Sequence, residues 1–206
     1  MARYPPQRTG VLLINPHNEF LSEGGVYWDA LAPVAHDVGL LINLAALLQG
    51  ARRAGVQIFH CPHHRFHEGD FDTWLHPTPA QLRIQRTGAL TAGSWGGEWR
   101  AEFAPVTGDT VCADHWGHSS FANTDLDFQL KQRAVDRVIV VGVDANSAIE
   151  TTGRYAVELG YHVTLVTDAT AAETWAAMTA AHQINGPTYA HAILDTDAVL
   201  KAMAAG

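Results

Sequence analysis

Short, uninterrupted runs of β-branched and other apolar residues recur along this chain, each separated from the next by a stretch of helical period. Gly10-Val11-Leu12-Leu13-Ile14 has no polar member, and Arg137-Val138-Ile139-Val140-Val141 is polar only at its first residue. A strand with one wet face alternates, whereas one buried on both faces reads as a continuous apolar run. Strands of this kind, alternating with helices, imply a parallel sheet covered on both sides. Further strands are expected at Val56–His60, Thr110–Ala113, His162–Val166 and Ala190–Leu194. Helical spacing runs from about Asp29 to Arg53 (Val34, Val38, Leu41, Leu44, Leu48), and again over Asp125–Ala134, Ser147–Leu159 and Ala172–Gln183. The expected fold class is therefore α/β: a three-layer α/β/α, doubly wound, mostly parallel six-stranded sheet. Ligands of such sheets bind beyond the carboxyl ends of the strands.

Length and composition narrow the class. The 206 residues suit one domain spanning 1–206, and residues 61–108, rich in Trp, His, Pro and Gly and without a sustained period, read as a long lid-like excursion. A net charge of −8 with mixed signs provides no basic footprint for nucleic acid. The two cysteines, Cys61 and Cys112, cannot form a disulfide framework and suggest a reducing compartment. The first residues carry no apolar core of a signal peptide, and the apolar runs are too short to span a bilayer. The expectation is a cytoplasmic protein with a small-molecule substrate and no nucleic-acid or membrane partner.

Three segments leave carboxyl ends of strands: Ile14-Asn15-Pro16-His17-Asn18-Glu19-Phe20, Asp114-His115-Trp116-Gly117-His118-Ser119-Ser120-Phe121, and Val141-Gly142-Val143-Asp144-Ala145-Asn146-Ser147-Ala148-Ile149-Glu150-Thr151-Thr152. The first resembles a strand ending in a catalytic Asp before Met-Gln-Asn-Asp-Phe. The third is similar to a Gly-Val-x-x-Asn-x-Cys-x-x-Ser/Thr-Thr turn, and Tyr161–Ala172 to a Gly-Tyr-x-Val-x-Val-x-x-Asp-Ala-x-Ala tail. Trp95-Gly96-Gly97-Glu98 and Ser120-Phe121 with Thr124 and Leu126 complete a set of five pieces in order. Together they resemble the isochorismatase-like (cysteine hydrolase) family from about Gly10 to Leu194.

That resemblance implies a hydrolase acting on an amide-type C–N bond of a small molecule, in a homo-oligomer. It places the family's Asp–Lys–Cys triad at Asn15, His115 and Ala148, so all three positions depart from the pattern. Ala148 has no nucleophilic atom, and covalent catalysis at that position is ruled out for the chain as it stands. Either a Cys→Ala substitution or natural loss of covalent chemistry accounts for it. Asn15 and His115 beside a thiol would form a Cys–His–Asn set, in which the imidazole takes the thiol proton and the carboxamide orients the ring. The resemblance also implies an oxyanion hole from the amides of Asp144 and Ala148, with a cis peptide between Val143 and Asp144. Phe20, His63, Trp95, Trp116 and His118 are the expected substrate-binding residues.

Two alternatives remain at this level. Isochorismatases of the family lack the cysteine and protonate a vinyl ether with the Asp carboxyl. Asn15 cannot supply that proton, and Asp144, Glu19 or Glu98 would have to replace it. The other alternative is a ligand-binding pseudoenzyme. No cofactor is expected. Some family nicotinamidases carry a metal on an Asp/His set after the second strand. Here His63, His64 and His67 are nearby, but Cys61 stands where the carboxylate belongs, and a solvated lid is the preferred reading.

Overall fold

The computed structural model describes residues 3–204. Six strands form one sheet: β1 (Thr9–Ile14), β2 (Gln57–Cys61), β3 (Thr110–Val111), β4 (Arg137–Val143), β5 (His162–Ala171) and β6 (Ala192–Leu194). Their order is β3-β2-β1-β4-β5-β6 and every pairing is parallel. The sheet is thus wholly parallel. Because the chain winds outward in both directions from β1 and β4, a crevice opens at their carboxyl ends, the place where such sheets bind ligands.

The apolar runs are explained by two cores, one on each face. Val11 and Leu13 of β1 and Ile139, Val141 and Val143 of β4 face one side. There they meet Leu31 and Val34 of α2 (Trp28–Asp37), Leu40, Leu44 and Leu47 of α3 (Leu40–Ala54) and Val199 of α8 (Thr196–Ala204). Leu12, Ile14, Val138 and Val140 face the other side, against Leu126 and Leu130 of α5 (Leu126–Gln132) and Ala156 of α6 (Glu150–Glu158). Side chains alternate across a strand, so burial on both faces requires apolar residues at every position.

The structure departs from the sequence expectations in several places. The single helix expected over residues 29–53 is two, α2 and α3, bent by 72° at Gly39, whose φ of +69° a helix interior does not accept. The turn after β4 is a wide π-type turn over Ala145–Ile149 before α6 begins. β3 is only two residues long, while β5 continues to Ala171. The helix expected from Ala172 starts later, as α7 (Trp175–Thr179), and runs into a second π-type turn over Ala180–Asn185. α8 was not expected at all; the Asp195 carboxylate accepts the Ala198 amide at 2.8 Å at its start, and Val199, Ala202 and Met203 form its buried stripe. The remaining helices are α1 (Asn18–Leu21) and, within the excursion, α4 (Pro79–Thr87). A reciprocal capping box starts α4: Thr78 Oγ1 accepts the Gln81 amide and Gln81 Oε1 accepts the Thr78 amide.

One glycine positions the site directly. At Gly142, φ is +111° and a Cβ would fall 2.2 Å from the Ile14 carbonyl oxygen, so only glycine lets the ends of β1 and β4 approach this closely. Among the described residues no single helix is long and apolar enough to cross a membrane.

Candidate active site

A cavity of about 340 Å³ opens at the β1/β4 switch point. Its floor is Asn15 from the end of β1, His63 from beyond β2, and Asp144, Ser147 and Ala148 from the turn after β4. Phe20, Tyr27, Gly117, His118, Glu173 and four residues of α4 (Pro79, Ala80, Arg83, Ile84) complete the wall. The excursion therefore supplies a wall of this cavity, through its one α-helix.

Asn15 and His115 meet under this floor. Asn15 has a φ of +57°, a left-handed conformation that Asn enters more readily than most residues. Its Nδ2 donates to the Val143 carbonyl at 2.7 Å, and its Oδ1 faces His115 Nε2 at 3.0 Å. His115 Nδ1 lies 2.7 Å from the Gly117 carbonyl oxygen. Both ring partners are oxygen acceptors, so a protonated ring would satisfy both and a neutral ring only one. Burial, with the charge of His63 next, pushes the His115 pKa well below the ordinary value, and the ring rests neutral. One nitrogen of the neutral ring donates, the other presents its lone pair to an oxygen, and the ring is not among the residues lining the cavity. In this arrangement both ring nitrogens face oxygens of other residues. Ala148 is buried and presents a methyl group to the cavity. The Val143–Asp144 peptide is cis.

Asp144 is the most perturbed acid of the cavity. One of its carboxylate oxygens is buried and, among the described residues, has no hydrogen-bond partner. Burial, then the nearby charge of Glu173, raises its pKa to about 7, with the Ala145 amide opposing in part. Glu19, the other buried carboxylate considered as a substitute acid, accepts the amides of Val26 at 2.6 Å and Leu90 at 3.2 Å and serves as a structural cap. Glu98 is exposed and outside the cavity. No motif distinguished Asp144 from these two carboxylates; its place in the turn was the one usable signal.

His63 contributes a defined acceptor. Its Nδ1 donates to the His64 carbonyl at 2.9 Å, so Nε2 carries the lone pair, and burial lowers its pKa to about 4. Its own amide donates to His17 Nε2 at 3.1 Å, and His17 Nδ1 donates to the Gly97 carbonyl at 3.0 Å. Desolvation lowers the His17 pKa to about 3, and both rings are neutral.

Of the expected substrate-binding residues, Phe20, His63 and His118 line the cavity. Trp116 and Trp95 do not. Trp116 stacks on His64 with ring centroids 3.5 Å apart and packs near Trp74, outside the wall, and Trp95 is 55% exposed. Arg83, Tyr27 and Glu173 were not anticipated, because they come from α4 and from segments with no motif. At the position where the family resemblance calls for a metal-binding carboxylate, the buried Cys61 thiol faces the Phe59 carbonyl. Farther out, His64, His67 and Asp70 bring their ligand atoms within 4.8 Å of one another. Their observed contacts are hydrogen bonds: the His64 ring and the His67 amide each reach Asp70 Oδ2 at 2.8 Å.

Fold and site together define an α/β hydrolase-like domain with its cavity at the sheet's switch point. The Isochorismatase domain family model matches residues 9–193, and the chain belongs to that family. It is 27% identical over 180 residues to the ureidoacrylate amidohydrolase RutB of Rhizobium rhizogenes, covering 80% of this chain and 71% of that protein. The corresponding protein of Agrobacterium fabrum is 29% identical over 181 residues, covering 80% and 76%. Among solved structures, a cysteine hydrolase from Pseudomonas syringae pv. phaseolicola superposes with a TM-score of 0.83 at 25% identity, over 100% of this chain and 97% of that one.

Proposed function

We propose that this isochorismatase-family hydrolase acts on small molecules without a covalent intermediate, with Asp144 as the general acid. The observation that carries this is the Asp144 carboxyl: it lines the cavity, has one oxygen buried and unpaired, and has a pKa raised to about 7. A carboxyl still half protonated near neutral pH can give a proton to a leaving group, and tuning of this kind is typical of catalytic acids. An alanine at 148 removes the alternative of an acyl-enzyme at that position.

For an amide-type C–N bond, the class named for the ureidoacrylate relatives, water adds to the carbonyl carbon while hydrogen-bonded to His63 Nε2. The C–N bond then breaks as Asp144 delivers its proton to the departing nitrogen; the added water keeps one proton on the new acid and passes the other by way of His63 Nε2 back to Asp144. Asn15 and His115 hold the floor through the Val143 and Gly117 carbonyls. The same carboxyl supports a second reading, protonation of a vinyl ether followed by addition of water to the resulting cation, which needs no nucleophile from the protein.

The test is turnover on ureidoacrylate, N-carbamoylsarcosine and isochorismate, read as ammonia or pyruvate released. Activity is expected to fall as pH rises through about 7, as Asp144 loses its proton. Asp144→Asn should lower kcat by roughly 10²–10⁴-fold, the usual contribution of a general acid. Full activity in Asp144→Asn would remove the acid role. Binding of these compounds with no product would identify a pseudoenzyme instead.

A further inference from the structure

Three charged side chains reach the cavity: Asp144 on the floor, and Arg83 and Glu173 from the wall. Arg83 stands on α4, in the excursion, and Glu173 follows the end of β5. They meet at 3.5 Å, Nη1 to Oε1, with side chains 40% and 46% exposed. That contact is long for a charge-assisted hydrogen bond, which closes to about 2.7–2.9 Å, and it engages one nitrogen only. Arg52 with Asp109, by comparison, reaches 2.7 Å and uses two nitrogens on the two carboxylate oxygens.

The Arg83 guanidinium lies 4.6 Å over the Tyr27 ring, which fixes its plane at the cavity wall. Among the described residues the Glu173 contact is the only hydrogen bond of its side chain, so the remaining N–H donors are unspent. A planar fork of unspent donors, held by an aromatic face beside a cavity, suits bidentate recognition of a carboxylate. Glu173 cannot fulfil that role from its present position.

We propose that Arg83 anchors a substrate carboxylate and that Glu173 occupies its place in the empty cavity. The substrate class is then a small monoanion with a carboxylate at one end and the reacting bond at the other, the latter resting on the floor near Asp144 and His63. This inference takes the cavity as the reaction site, as above, but does not depend on Asp144 being the acid. It adds a consequence for the chemistry. Glu173 contributes to keeping Asp144 protonated, and a bound carboxylate at Arg83 supplies a negative charge to the same region when Glu173 is displaced.

The experiment is calorimetric titration of the full chain with succinamate and with its neutral twin, succinamide. Succinamate is expected to bind about 10-fold more tightly, equivalent to about 1.4 kcal/mol. Arg83→Gln should abolish that difference. Glu173→Gln should tighten succinamate by roughly 3–10-fold and leave succinamide within about twofold, because it removes a competitor for the guanidinium. These opposite signs separate an anchor and its placeholder from a simple structural ion pair, whose loss from either side would act alike. Equal affinity for the two ligands, no binding of either up to about 50 mM, or weaker succinamate binding in Glu173→Gln would each overturn the proposal. A carboxylate preference that persists in Asp144→Asn would uphold the anchor even if the acid assignment fails.

Discussion

At position 148, where the sequence pattern leads one to expect a cysteine, a methyl group stands, and its surroundings determine what a sulfur there would do. A thiol becomes reactive when a base or positive charge stabilises the thiolate. His115, the expected base, points Nδ1 at the Gly117 carbonyl and Nε2 at the Asn15 carboxamide oxygen, and burial keeps it neutral. Asp144, beside the position, disfavours a second negative charge once it is ionised. Ala148→Cys is therefore expected to carry an ordinary thiol, alkylated by iodoacetamide with an apparent pKa of about 8.5 or higher. A pKa below about 7 in that titration would show that the imidazole does reach the sulfur, and would return the Cys–His–Asn reading. Residue identity was legible here; the direction of the His115 nitrogens was not, since it depends on a carbonyl two residues on and a carboxamide 100 residues away.

At the scale of elements, α4 is the part of the excursion that the cavity depends on. Four of its residues line the wall, yet it is only nine residues long and has few buried side chains, Gln81 and Ile84. Helices this short are marginal by propensity alone, so the cap and the tertiary contacts hold it. The Thr78–Gln81 box satisfies the amides at its start, and Gln81 Nε2 also donates to the Trp116 carbonyl at 2.7 Å. Thr78→Ala should cost about 1 kcal/mol and speed amide hydrogen exchange over residues 79–87, with little change in the sheet. Exchange in that helix matching the native chain would mean that packing, and not the cap, holds α4. The Thr-Pro-x-Gln signature of this start was in the sequence, but it lay within a segment whose lack of period concealed where the helix would dock.

For the whole molecule, several histidines are buried neutral, and this couples stability to acid. His17 has a pKa of about 3 and His63 of about 4, and those of His60, His115 and His182 are also depressed, with burial the leading cause. In the unfolded chain each titrates near about 6.5. Below that pH the unfolded state binds protons that the folded state refuses, so the stability contributed above about 6.5 is lost as pH falls toward the folded values, by about 1.4 kcal/mol per pH unit for each such group. Asp144, raised to about 7, acts in the opposite sense, but it is one group. Urea midpoints should fall steadily from pH 7 to pH 5; midpoints constant across that range would show that these rings are solvated or protonated in the native state. The sequence by itself determined the sheet, the two cores and the order of motifs at the strand ends, because continuous apolar runs leave a strand no choice but burial on both faces. The break at Gly39, the helix α8, and the convergence of Arg83, Glu173 and Asp144 on one cavity were decided only by tertiary structure. The convergence depends on long-range packing and on the field of distant charges; the break and α8 carry local marks, a left-handed glycine and a buried stripe of Val199, Ala202 and Met203 behind Asp195, but packing decides how they are used.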